Sequence, residues 1–223
     1  DLIVQGNLGT LTANGVIAGD VQVFGDVTDK ISATRVSNDI GALLGHSFNN
    51  VVDLTAYSDS LLYVIDETSG GAFELSSITR NSNGSLNAVT LIGTLSDGTN
   101  LSDVQAIEVD PTDSTKLYVI AKTNGASTLS LYTVDTTNGT AVTTGITLDV
   151  DPATEEYSSL AFVGTSLYMV NTTVVNDGTN DVYVNQLYKI DLTTQAINAQ
   201  GQIDLPDGFD DTIMYVAAMD TDA

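Results

Sequence analysis

Leu117-Tyr118-Val119-Ile120 decides how this chain is read, because near-copies of it stand upstream as Leu62-Tyr63-Val64-Ile65 and downstream as Leu167-Tyr168-Met169-Val170. Units of several strands repeating at about 40–50 residues are the mark of a propeller-type array. The tetrapeptide therefore predicts one strand of a repeated β unit.

Working outward, the middle unit opens on Val104–Val109 and turns at Asp110-Pro111-Thr112-Asp113-Ser114, with Pro at a favoured turn site. The quoted strand follows. Asn124-Gly125 favours a hairpin with positive φ, Thr128–Asp135 alternates with period two, and Asn138-Gly139 turns the chain into Ala141–Leu148. The neighbours repeat the plan. In the first unit Phe73–Ile78 is the third strand, Asn83-Gly84 the turn and Val89–Leu95 the fourth strand. In the third unit Ser159–Phe162 opens, Gln186–Asp191 is the third strand and Ala196–Leu205 the fourth. Thr212–Met219 reads as the first strand of a further unit. No stretch of ten or more residues carries a 3.6-residue apolar stripe, so helix is expected to be nearly absent.

The expected fold is therefore all-β, with propeller-type four-stranded blades, about three plus the first strand of a fourth. The units run over about 51–100, 101–152 and 153–206, with the start of the next at 207–223. Propellers typically have four to eight blades, so this count points to a piece of a larger assembly, closed by further residues or by partner chains. The start at Asp1, without Met or a signal peptide, points the same way.

Residues 1–50 read differently. Asp1–Leu8 aligns with Asp20–Val27 at an offset of 19 residues, with Asp, Val and Gly coincident at three positions. Short apolar segments with Gly, Asn or Asp at the corners suit β-helix rungs, and two ordinary hairpins are the competing reading. Residues 28–50 form a connector holding Lys30, Arg35 and the single His46, with Ile40–Gly45 a candidate strand. Two rungs are too few to bury a solenoid core alone.

The blade pattern resembles the Tyr-Val-Thr-Asn and NHL-like families of extracellular bacterial propellers. The residues that carry it are Lys116–Val119 with Leu131–Gly139, and the parallel set Gln186–Thr194, within about residues 51–219. The motif is generic among propellers, so it implies a fold and not an activity. Residues 1–27 resemble the Gly-Asp-rich repeats of large secreted or cell-surface bacterial proteins.

Composition narrows the partners. Asp and Glu number 29 against 6 Lys and Arg, for a formal net charge of −23. Such a surface repels nucleic acid and anionic membranes, and no apolar run approaches the ~18 residues of a membrane span. With no Cys there is no disulfide, thiolate nucleophile or Cys-ligated zinc. No Gly-x-Ser-x-Gly elbow is present and His46 lies outside the blades, so a nucleophilic triad has no support. Glu155-Glu156 are adjacent, and neighbours on a strand point to opposite faces.

Calcium is the chemical candidate. Asn176, Asp177, Thr179 and Asp181 place oxygen donors around a Gly turn in the third unit, as a hard cation wanting six to eight oxygens requires. Asp97 with Asp103 is a weaker set, and Asp204, Asp207, Asp210 and Asp211 form another acidic cluster. Neither loop has the closing Glu of an EF-hand, and a polar turn using Asn, Asp and Gly is the simpler reading of each. Four sequons, at Asn83, Asn100, Asn138 and Asn171, permit a glycan in a suitable host.

The functional expectation is a non-enzymatic structural or interaction module of a secreted or cell-surface bacterial protein, in a surface layer, filament or adhesin. Its partners would be other protein subunits or further domains of the same polypeptide. The alternative is a propeller lectin or enzyme with its ligand at the blade-top loops, for which the Asp97, Asp177 and Asp207 loops would have to converge.

Overall fold

The computed structural model describes residues 2–4, 8–13, 21–23, 27–33, 47–82, 86–148, 155–176 and 181–203. The chain divides into two compact units, residues 1–47 and 48–223. No helix occurs among the described residues.

In the first unit, β1 (Leu2–Val4) pairs in parallel with β3 (Val21–Val23), and β2 (Leu8–Ala13) with β4 (Val27–Ala33). Leu2 faces Val21 and Leu8 faces Val27, the partners set by the internal alignment. Hairpins would pair antiparallel, so the segments stack as successive rungs. A bulge after Leu8 shifts the later register to Thr10 against Lys30. Ile40–Gly45 and His46 lie outside the described residues.

The second unit holds three antiparallel four-stranded sheets, each formed by consecutive strands. The first comprises β5 (Val51–Ser58), β6 (Leu61–Glu67), β7 (Phe73–Arg80) and β8 (Leu86–Thr94). The second comprises β9 (Leu101–Asp110), β10 (Asp113–Thr123), β11 (Leu129–Asp135) and β12 (Ala141–Leu148). The third comprises β13 (Glu155–Val163), β14 (Ser166–Asn176), β15 (Asp181–Asp191) and β16 (Ala196–Gln202). The three Leu-Tyr tetrapeptides are the second strand of each sheet. Strand bounds shift modestly: the middle sheet opens at Leu101 and not Val104, and the last described strand stops at Gln202. Thr212–Met219 lies outside the described residues.

Packing explains why the quoted tetrapeptide is apolar at every position. Successive side chains on a strand point to opposite faces, and the middle sheet is covered on both. Leu117, Val119 and Ala121 enter one core with Tyr63, Ile65, Phe73 and Leu75 of the first sheet. Tyr118 and Ile120 enter a second core with Leu160, Phe162, Leu167 and Met169 of the third. Tyr118 meets Phe162 edge to face, with ring centroids 5.5 Å apart. A strand buried on one face alternates; this one, buried on both, cannot.

The turns are as specific as the cores. The Asn138-Gly139 turn of the second sheet lies against the end of β8, where a Cβ on Gly139 would stand 2.9 Å from the Thr94 carbonyl oxygen. Gly139 also has φ 76°, a conformation that side chains disfavour. Its carbonyl accepts the Ser96 N–H, and the Ser96 carbonyl accepts the Ala141 N–H. The connector between the first two sheets is thereby tied to the rim of the second.

Candidate interaction faces and the polar latches between sheets

Side chains from strands and turns of each sheet hold the backbone of a neighbouring one. Asp53 accepts the Ile107 N–H at 2.9 Å, and Thr55 accepts the Val109 N–H while donating to Glu108 at 2.8 Å. The Tyr63 hydroxyl donates to the Ser114 carbonyl at 2.8 Å, which Thr136 also reaches. Between the second and third sheets, Gln105 accepts the Tyr157 N–H and Gln195 donates to the Thr144 carbonyl. These latches satisfy polar groups that sheet stacking would otherwise strand. Burial pushes the Asp53 carboxyl above the usual carboxylate range, against the lowering effect of its two backbone donors.

Part of the acidic composition has a local explanation. Asp97, Asp110, Asp113, Asp135 and Asp191 each accept the backbone N–H of the residue two places on, in every case a Thr. In four of them the Thr hydroxyl donates to the same oxygen. This Asp-x-Thr arrangement is the Asx turn, a side chain standing in for a backbone acceptor. Hydrogen bonds from threonine, led by a Thr hydroxyl at Asp97, Asp113 and Asp135, hold the carboxyls of Asp97, Asp113, Asp135 and Asp191 below their ordinary range. Of these five only Asp97 reads as a candidate ligand from sequence, and the recurring Asp-x-Thr triplet is the signal that marks all five as turns.

The calcium candidates fall as follows. Asp97 accepts from Thr99 through one oxygen and from Thr123 through the other, and Thr123 in turn bonds the Tyr132 hydroxyl. Asp103, at φ 48°, is paired with Lys122 and accepts from Gln105. Asn176 and Asp181 are partners across the end of the β14–β15 hairpin, while Asp177 and Thr179 lie outside the described residues, as do Asp204, Asp207, Asp210 and Asp211. Among the described residues no three His, Cys, Asp or Glu side chains gather as a metal site. Of the sequons, Asn171 is buried, Asn100 and Asn138 are exposed on turns, and Asn83 lies outside the described residues.

One open groove of about 350 Å³ runs over the second sheet, lined by Thr115, Lys116, Thr133, Asp135, Thr140 and Val142 among others. Its charges are already engaged: Asp135 caps its turn, and Lys116 stands 3.8 Å from Asp110 and 4.0 Å from Asp113. It gathers no acid–base pair of the kind general catalysis uses.

The outer face of the first sheet carries exposed apolar side chains. Leu54 and Ala56 face Val64 and Leu62, as Ile107 and Val109 face Val119 and Leu117 in the second sheet. On the outer strands Val89 lies opposite Ile78 as Ala141 lies opposite Val134, and Leu91 lies opposite Ser76. The second-sheet residues are covered by the first sheet, with Ile107 and Val109 each 2% exposed. Their first-sheet counterparts Leu54 and Ala56 are open beside a buried Val64, with Leu54 57% exposed; Leu91 on the same face is 48% exposed, and its second-sheet counterpart Thr143 is exposed too. On the tyrosine-bearing face of the third sheet Ala161, Val170 and Thr172 are buried. Tyr168 is half-buried there, Val163 is exposed, and the Lys189 ammonium stands 5.8 Å from the Tyr168 ring centroid.

No family model matches the chain, and no curated protein matches it. Among solved structures, a mutant of the Synechocystis apocarotenoid oxygenase is similar at 9% identity with a TM-score of 0.42, over 74% of this chain and 41% of that one. The Pyrococcus horikoshii acylaminoacyl peptidase is similar at 12% identity with a TM-score of 0.36, over 76% of this chain and 27% of that one. Both are enzymes. The chain thus spans less than half the length of each.

Proposed function

We propose that this chain is a non-enzymatic interaction module of a secreted or cell-surface bacterial protein, with propeller-type blades that bind further protein through an open sheet face. The observation that carries the reading is the exposure of Leu54 and Ala56 at positions whose counterparts in the next sheet, Ile107 and Val109, are buried, with Leu91 exposed on the same face. Contiguous apolar surface of this kind marks a binding face. Supporting it are the disulfide-free acidic composition, the resemblance of the repeats to extracellular bacterial propellers, and a charge unsuited to nucleic acid or membrane.

Because the chain has no Cys, single-thiol labelling tests both halves of the proposal. A Thr99→Cys variant, on an exposed loop, should react with a membrane-impermeant maleimide on intact producing cells. A Leu91→Cys variant should react readily in the isolated chain and slowly on those cells, where its partner covers it. Failure of the Thr99→Cys variant to label until cells are lysed would remove the surface location. Equal Leu91→Cys labelling in both settings would remove the covered face.

A further inference from the structure

The same tripeptide stands at both turns of the second sheet's outer half, in unlike settings. Thr123-Asn124-Gly125 leads from β10 into β11, and Thr137-Asn138-Gly139 from β11 into β12. Asn before Gly is open to attack from within the chain, because no Cβ shields the Gly nitrogen. That nitrogen bonds to the side-chain carbonyl carbon, its own proton is lost, and the bond to the amide nitrogen breaks to release ammonia. Water then opens the resulting succinimide to aspartate or, with the chain rerouted through the side chain, to isoaspartate. The net change is amide plus water to acid plus ammonia, with no oxidant or cofactor. We infer that Asn124 is a site of this spontaneous modification and that the fold protects Asn138 from it.

The difference lies in restraint. Attack requires the reacting atoms to be brought together, so each bond that fixes one of them raises the barrier. At the Asn138 turn both are fixed. The Asn138 amide donates to Asp135 Oδ2 at 3.2 Å, and its oxygen accepts the Thr140 N–H at 2.8 Å. The nitrogen that would attack is held as well, since the Gly139 N–H donates to the Asp135 carbonyl at 2.9 Å. The peptide between them has no room to rotate: a Cβ on Gly93 would stand 2.9 Å from the Asn138 carbonyl oxygen.

At the Asn124 turn neither atom is held. The Ala126 N–H donates to the Thr123 carbonyl at 2.8 Å and the Asn124 N–H to the Asn100 carbonyl at 3.2 Å, bonds that leave the dipeptide itself unclamped. Among the described residues nothing bonds the Asn124 side-chain amide or the Gly125 N–H. Residues 124–128 are exposed, and a Cβ on Gly125 would meet no atom within 4 Å. The peptide can turn toward the Asn124 side chain without displacing a neighbour.

Conversion spares the hairpin and changes what it presents. The β10–β11 register runs from Lys116 against Asp135 to Ala121 against Ser130 and ends short of the turn. A neutral amide becomes a carboxylate on a chain already at −23, next to Thr123, which anchors Asp97. The isoaspartyl product also lengthens the backbone within the turn. Asn83-Gly84 lies outside the described residues.

The test is incubation of the isolated chain at mildly alkaline pH, followed by cleavage before Asp. Asp113–Val134 then carries Asn124 as its only Asn, and Asp135–Leu148 carries Asn138 as its only Asn. Mass spectrometry reads the conversion of amide to acid in each fragment, and chromatography separates the aspartyl from the isoaspartyl form. In the native chain Asn124 should convert at least about tenfold faster than Asn138, whose reaction must wait for local opening. In urea the two rates should converge, because the tripeptides are identical. Asn124→Gln should remove the fast conversion and leave Asn138 slow. Equal native rates, whether both fast or both slow, overturn the inference. So does a difference that persists unchanged in urea, which would assign it to the wider sequence and not to the fold.

Discussion

At the residue scale, five of the described aspartates are fixed by turns. A carboxylate that accepts the backbone N–H two residues on does the work of a backbone acceptor, and the described residues use that device five times, in four of them with the Thr hydroxyl donating as well. Asp97 is thereby bound by protein donors at both oxygens. Asp97→Ala is expected to lower the melting temperature by a few degrees, equally in millimolar Ca2+ and in chelator. A loss confined to the calcium samples would make Asp97 a ligand, since an ion that binds the native state must raise its stability. The pH profile has two opposed limbs. Asp97, Asp113, Asp135 and Asp191 have lowered native values, so the unfolded chain binds more protons and stability rises with pH. Their contribution is complete above the unfolded value near 3.8 and is lost as pH falls through the native values. Asp53 is raised, so its charged form costs stability at neutral pH, and acidification through its native value recovers that cost. Thermal melts from neutral pH downward should therefore show a small gain before the acid loss, and Asp53→Asn should erase the gain. A monotonic fall in the wild-type chain would refute the assignment to Asp53.

At the element scale, the Leu117–Ile120 strand is a test of two-sided burial. Val119→Ala and Ile120→Ala remove groups from different cores, both fully buried. Each is expected to cost about 1–4 kcal/mol in denaturant melts, whereas Leu54→Ala, on the open face of the isolated chain, should cost about 0.5 kcal/mol. Comparable costs at Leu54 and Ile120 would show the first sheet already covered. The strand was legible in the sequence because repetition marked it three times and its unbroken apolar run needed cover on both faces. The Asn-Gly and Asp-Pro turns were legible because positive φ and fixed φ restrict residue choice. The latches were not. Asp53 and Ile107 lie 54 residues apart, and one bond from a carboxylate to a backbone N–H leaves no periodic trace. The open face was hidden for a related reason: Leu54 and Ile107 are similar letters, and only the presence of a neighbouring sheet separates them.

At the scale of the whole molecule, two cores meet in one sheet. The middle sheet shares side chains with both neighbours, while β16 at the far edge of the third is mostly exposed along its length. In a stack whose units touch only their neighbours, stability is a sum of unit and interface contributions. The middle sheet draws on two interfaces, so local opening there must break both. Amide hydrogen exchange should therefore be slowest at Leu117–Ala121 and Leu131–Val134 and fastest, among the strands, at Ala196–Gln202. Ile120→Ala weakens only the interface with the third sheet, so it should speed exchange in β13 and β14 more than in β6 and β7. Val119→Ala, on the other face, should do the reverse. Equal acceleration in all three sheets by either variant would mean that the stack opens as one cooperative unit, and the separation into two cores would then have no energetic meaning.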